Sequence, residues 1–125
     1  MYIISARTKF SAAHQLCGYE GPCEKLHGHN WFVRVEVKTP KLNSIGIGLD
    51  FRKLKAILEK VTDRLDHNLI NDVEPFDHLN PSAENLARHF YQSIEPQLPE
   101  PVRMVSVTVW ESEKYRVTYT GDDQD

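Results

Sequence analysis

His27-Gly28-His29-Asn30-Trp31-Phe32-Val33-Arg34-Val35-Glu36-Val37 decides the fold. Trp31, Val33, Val35 and Val37 alternate with Arg34, Glu36 and Lys38, and residues two apart on a strand share a face, so this segment is a strand with one buried side. Followed backwards, the buried face runs onto His29 and His27. Towards the N-terminus, residues 2–14 alternate in the same way: Ile4, Ala6, Phe10 and Ala12 hold one parity, Ser5, Arg7, Lys9 and Ser11 the other, and the apolar parity leads to His14. If the two strands pair as neighbours, three imidazoles stand together at the ends of their buried faces.

Beyond the second strand, Pro40 and the cluster Asn43, Ser44, Gly46 and Gly48 mark a turn, and Asp50 stands where a cap opens a helix. Phe51, Leu54, Ile57, Leu58, Val61 and Leu65 follow at helical spacing. Asn80, Pro81 and Ser82 start a second helix with Ala83, Leu86, Ala87, Phe90 and Ile94 on one face, ending near Glu95 ahead of Pro96, Pro99 and Pro101. Val105, Val107 and Val109, then Tyr115, Val117 and Tyr119 after a turn, predict a C-terminal hairpin whose first strand carries Glu111 on its apolar parity. The acidic tail Gly121 to Asp125 is expected to fray. The order ββααββ predicts an α+β fold: a four-stranded antiparallel sheet with two helices on one face.

At 125 residues, with 40% hydrophobic and 26% charged, the chain is sized for one domain over residues 1–125 and its composition excludes fibrous and disordered classes. Fifteen Lys and Arg against 18 Asp and Glu give a net charge of -3, which argues against nucleic acid or an anionic membrane as partner. The N-terminal stretch has no apolar run resembling a signal or a span, so a cytoplasmic protein is expected, with Cys17 and Cys23 as thiols.

Neutral imidazoles suit zinc, and three of them leave a fourth position open, the arrangement of a catalytic rather than a structural ion; iron and copper also accept such ligands. Cys23, four residues before His27, fits either a fourth ligand that closes the site or a base beside it, and the spacing does not separate the two. A closed site would make the domain a binding module rather than an enzyme. Glu24 and Lys25 read as solvated neighbours of the site. In Leu65-Asp66-His67-Asn68, a His with an adjacent Asp fits a proton carrier or an ordinary helix end. Glu111 either leaves the sheet edge or faces a pocket, where a carboxylate would accept paired N–H donors of a heterocycle. Cys17, His78 and His89 read as loop or boundary residues.

Together these segments resemble the 6-pyruvoyltetrahydropterin synthase and 6-carboxytetrahydropterin synthase family of tunnelling-fold enzymes over nearly the whole chain. The resemblance rests on Phe10-Ser11-Ala12-Ala13-His14, Cys23-x-x-x-His27-Gly28-His29, Leu65-Asp66-His67 with Asn71, Gly48-Leu49-Asp50-Phe51, Pro81-Ser82-Ala83-Glu84-Asn85 and Trp110-Glu111. It implies zinc on His14, His27 and His29, Cys23 as proton acceptor, Asp66 and His67 as a relay, and Glu111 as anchor of a pterin ring, with Ser82 as a substrate contact. The implied substrate is 7,8-dihydroneopterin triphosphate, and the short Cys23 to His27 spacing resembles the carboxy-forming branch, which releases acetaldehyde and triphosphate and supplies queuosine synthesis. The other branch forms a 6-pyruvoyl product. Glu24 also creates Glu-x-x-His-Gly-His, similar to a side branch that uses Glu in place of Cys and cleaves the side chain differently. The family further implies a homo-oligomer, trimer or hexamer, with sites shared between subunits.

Overall fold

The computed structural model of the chain describes residues 1–18 and 24–122. Strand β1 (Tyr2–His14) pairs antiparallel with β2 (His27–Thr39), β2 with β3 (Arg103–Trp110), and β3 with β4 (Arg116–Tyr119), giving a four-stranded sheet in the order β1-β2-β3-β4. Helices α1 (Phe51–Leu65) and α2 (Ala83–Ile94) cover one face, α1 against β1 and α2 against β3 and β4. This is the expected ββααββ layout.

The alternation read from sequence is the alternation of burial. Trp31, Val33, Val35 and Val37 are fully buried between sheet and helices, and Phe10 stacks on Trp31 with ring centres 6.0 Å apart and planes 5° from parallel. Phe90 of α2 packs on Phe10 with ring centres 6.0 Å apart and planes tilted by 35°. Each such side chain contributes about 1.5–3 kcal/mol on burial, which makes the Phe10–Trp31–Phe90 stack the anchor of the two layers. Trp31 also spends its one polar atom here, its Nε1–H donating to the Ala12 carbonyl at 3.2 Å and so tying β2 to β1 two residues from His14.

The helix starts follow the capping residues. Asp50 accepts from the Arg52 backbone N–H at 2.8 Å, and Ser82 from the Asn85 N–H at 3.1 Å. The turn before α1 requires a glycine at position 48, where a Cβ would come within 2.7 Å of the Thr39 side chain.

The hairpin differs from the expected one in detail. Glu36 lies opposite Ser106 and Val37 opposite Met104, so Val105 is an extra, unpaired residue at a β-bulge, and Met104 rather than Val105 joins Val107 and Val109 in the core. A bulge inserts one residue and reverses parity behind it, which period-2 reading cannot detect. Tyr115 precedes β4 and is 72% exposed instead of joining the strand's inner face. Of the tail expected to fray, residues 123–125 lie outside the described residues. Among the described residues, no helix is long and apolar enough to cross a membrane.

Candidate metal centre and the site around it

The register places His14 directly opposite His27, and Ala12 opposite His29. All three rings therefore leave the core face at one end of the β1–β2 pair, with ring centres 4.6 to 5.3 Å apart. Glu111, just past the end of β3, turns its carboxylate onto the same point: Oε1 lies 3.5 Å from His29 Nε2 and Oε2 lies 3.8 Å from His14 Nε2. One donor atom from each of these four residues falls within 4.8 Å of every other.

The backbone fixes which nitrogen of two rings is free. His14 Nδ1 sits 2.8 Å from the Pro81 carbonyl and His27 Nδ1 sits 2.7 Å from the Lys25 carbonyl. A carbonyl only accepts, so both Nδ1 atoms carry hydrogen, and in neutral rings both Nε2 atoms present lone pairs. Those two Nε2 atoms are 3.1 Å apart. Two lone pairs at that distance repel unless a proton or a cation stands between them. Two nitrogens bound tetrahedrally to one zinc would lie about 3.3 Å apart, so the observed spacing fits an ion of that size. Backbone carbonyls holding the far nitrogens of ligating imidazoles are the usual support of such a centre.

His29 adds an atom in need of a partner. Its Nε2 is buried and makes no hydrogen bond, and its approach to Glu111 lacks hydrogen-bond geometry. Burial holds the His29 imidazole below its ordinary value; Glu111 opposes that shift, while His27 and His14 reinforce it. A ring kept neutral is one that can ligate.

Asp66 and His67 come together by a backbone feature that strand geometry alone forbids. Helix α1 ends with the Asp66 N–H donating to the Thr62 carbonyl at 2.8 Å, and His67 then takes φ +59°, the left-handed region. That turn brings His67 Nδ1 within 3.0 Å of Asp66 Oδ2. The other Asp66 oxygen accepts from the Ser11 N–H at 2.9 Å, and this bond holds the Asp66 carboxyl below its ordinary range. The His67 N–H donates back to the Ser11 carbonyl at 2.6 Å. A non-glycine residue in this region costs of order 1 kcal/mol or more and is found where a side chain must be aimed. His67 remains exposed and lines, with His29, Gly28 and Asn30, an open groove across the ends of β1 and β2.

Glu24 is exposed, as a solvated neighbour of the centre is, and its carboxylate reaches towards His27. Its backbone N–H donates to the Leu16 carbonyl at 2.9 Å, its Oε1 accepts from the Leu16 N–H at 3.2 Å, and the same oxygen lies 4.0 Å from His27 Nε2. Two asparagines that the sequence did not single out as site residues hold this region. Asn71 bonds both backbone groups of Gln15 at 3.0 and 2.9 Å, and Asn80 both those of Cys17 at 2.9 and 2.6 Å. Their signal was the asparagines that close the third motif and precede Pro81. Ser82 caps α2 directly after Pro81, whose carbonyl fixes His14, so the capping residue lies one step from the centre. Cys23 lies outside the described residues. Cys17 is disulfide-bonded, contrary to the thiol expected of it.

A family model described as 6-pyruvoyl tetrahydropterin synthase matches residues 3–122. The chain belongs to this family. It is 37% identical over 100 residues to the 6-carboxy-5,6,7,8-tetrahydropterin synthase of Synechocystis sp., covering 76% of each chain. It is 32% identical over 111 residues to the dihydroneopterin monophosphate aldolase of Pyrococcus furiosus, covering 89% of this chain and 90% of that one. The structure of Caenorhabditis elegans 6-pyruvoyl tetrahydropterin synthase superposes with a TM-score of 0.84 at 26% identity over 97% of this chain and 96% of its own. The pterin synthase family thus has the four-stranded tunnelling fold seen here, and three differently named pterin activities lie within its range.

Proposed function

We propose that the protein is a zinc-dependent 6-carboxy-5,6,7,8-tetrahydropterin synthase acting on 7,8-dihydroneopterin triphosphate, with a product that feeds queuosine synthesis. The observation that carries the metal-dependent reading is the pair of facing lone pairs on His14 and His27, closed in by His29 and Glu111. In this reading His14, His27 and His29 hold the ion. When bound, zinc polarises the hydroxylated side chain of the substrate and acidifies its C–H bonds.

The chain's own residues do the rest. Glu111 accepts the N–H donors of the pterin ring and so sets that ring beside the histidines. Under reducing conditions, with the Cys17 disulfide opened, Cys23 takes the side-chain proton as thiolate, four residues from His27. Asp66, anchored on Ser11, orients His67 to carry a proton between solvent and the substrate. Ser82, already engaged as a cap, contributes a hydroxyl at the substrate's edge. Triphosphate leaves, and one water is consumed as the side chain is cleaved, its oxygen passing to the carboxylate and the two terminal carbons departing as acetaldehyde.

A second reading is favoured by one observation, the position of Glu24 Oε1 at 4.0 Å from His27 Nε2. With Glu24 as base the enzyme would cleave the side chain in the manner of the Glu-x-x-His-Gly-His branch. Mass analysis of the product from 7,8-dihydroneopterin triphosphate tests both readings. A 6-carboxy product with acetaldehyde in equal amount is expected. A 6-pyruvoyl product without acetaldehyde, or a pterin cut to a shorter alcohol, would replace the first reading by one of its relatives.

Assembly belongs to the same proposal. β1 and β4 are the edges of the sheet, and among the described residues the outer edge of β1 is met at its C-terminal end by Asp66, His67, Asn68 and Leu69, which bond or bridge to Ser11 and Ala13. Unpaired edges invite pairing with another copy. A trimer that joins β1 to the β4 of its neighbour, doubled to a hexamer, removes both edges. Sedimentation at micromolar concentration should show the oligomer, and a stable monomer would contradict it.

A further inference from the structure

The outer face of the sheet, turned away from the helices, carries a charge pattern for which the pterin reading has no use. By register its strand residues include Arg7, Lys9, Arg34, Lys38, Arg103 and Arg116, with Glu36 as the one carboxylate. The whole chain is at -3, so this face is basic on an otherwise strongly acidic molecule.

Three of these cations converge. Arg7 and Arg34 lie directly opposite one another across β1 and β2, a like-charged pair that opposes strand pairing. The Arg7 guanidinium lies 4.7 Å from the Phe32 ring centre and 5.2 Å from that of Trp110, with Arg34 at 5.4 Å and Arg116 at 5.8 Å from Trp110. Among the described residues neither Arg7 nor Arg116 has a carboxylate within 4.0 Å, and Arg34 has only Glu36 at 3.8 Å. Arg34 Nε is buried without a hydrogen-bond partner.

Aromatic faces hold the flat sides of guanidinium groups in place and leave their N–H edges available to acceptors in the plane. Three such groups gathered round one indole repel one another until an anion relieves them. Guanidinium edges pair bidentately with phosphate, and several cations drawn from three strands match several linked phosphates better than one. We propose that the Arg7, Arg34 and Arg116 cluster around Trp110 is a binding site for a small oligophosphate anion, separate from the histidine centre. The site does not depend on which pterin reaction the histidine centre performs.

The test uses inorganic triphosphate and the purified 125-residue chain, followed by calorimetry and by indole emission. Trp31 is buried and Trp110 lies within the cluster, so binding should change the Trp110 signal. Arg7→Met with Arg116→Met should weaken binding about tenfold or more, the loss of one or two charge-assisted hydrogen bonds. Trp110→Phe should lose the emission change and keep the calorimetric signal. His27→Ala should bind triphosphate as the unaltered chain does. Should the double methionine variant fail to fold, Arg7→Lys with Arg116→Lys keeps the charge, loses the fork and should still bind more weakly. Absence of binding, equal binding by the arginine variants, or loss of binding in His27→Ala would overturn the site. So would sulfate binding as tightly at equal ionic strength, or a single-stranded oligonucleotide binding more tightly than triphosphate.

Discussion

Replacing His27 by alanine should strip the protein of zinc and abolish turnover. His27 is half of the facing pair, its Nε2 at 3.1 Å from that of His14, and its Nδ1 is spent on the Lys25 carbonyl, so no other atom of the ring can compensate. Loss of a residue that merely supports a ligand costs about 10- to 100-fold in metal affinity, and loss of the ligand itself should exceed that. Ligand-linked stability supplies a second readout: an ion at 100 times its dissociation constant stabilises the fold by about 2.7 kcal/mol. The unaltered chain should therefore melt at a higher temperature with zinc than after chelation, and the variant should melt alike in both. The partly exposed position of His27, against the fully buried His14, makes it the safer variant for folding. Metal analysis showing a full equivalent of zinc in both His27→Ala and His29→Ala would mean that the imidazoles are not the ligands.

The histidine cluster was legible because a strand's parity does not depend on anything distant. His14, His27 and His29 continue apolar faces without interruption, and once β1 and β2 pair, their convergence is a matter of register. Glu111 was legible for the same reason, since the bulge at Val105 lies upstream of Val107 and Val109 and leaves their phase with Glu111 intact. The close approach of Asp66 and His67 was not, because it needs a left-handed residue that the sequence signals only weakly: histidine is enriched there, yet most histidines are elsewhere. Glu24 was read as a solvated neighbour and is exposed, but its direction was not legible because loop side chains have no period. Its approach to His27 depends on backbone pairing with Leu16, eight residues earlier, and on two asparagine clamps that become visible only when the chain has closed. The arginine cluster escaped a charge count that came out negative, since a sum over the chain conceals a face.

The base is the point at which the two side-chain-cleaving readings separate, and a pair of substitutions decides it. Cys23→Ala should keep zinc, because His14, His27 and His29 hold it without the thiol, and should lose the group proposed to accept the substrate proton. Removal of a general base costs about 10²- to 10⁴-fold in rate, so kcat should fall by that order while substrate affinity is kept. Assays in a thiol reductant keep the bonding state of Cys17 from entering the comparison. Glu24 gives the measurement its second half. Its Oε1 is held by the Leu16 N–H, and Glu24→Gln preserves an oxygen acceptor for that bond while removing the charge that could take a proton. If Cys23 is the base, Glu24→Gln alone should alter the rate little, and the double variant should lose whatever Cys23→Ala retained. If Glu24 is the base, the order reverses: Glu24→Gln takes the large loss, Cys23→Ala the small one, and the product changes to that of the other branch. Loss of zinc together with activity in Cys23→Ala would instead make the thiol a ligand and the site closed. Normal turnover by the double variant would remove both candidates and leave His67, which lines the groove with Asp66 beside it, to accept the proton.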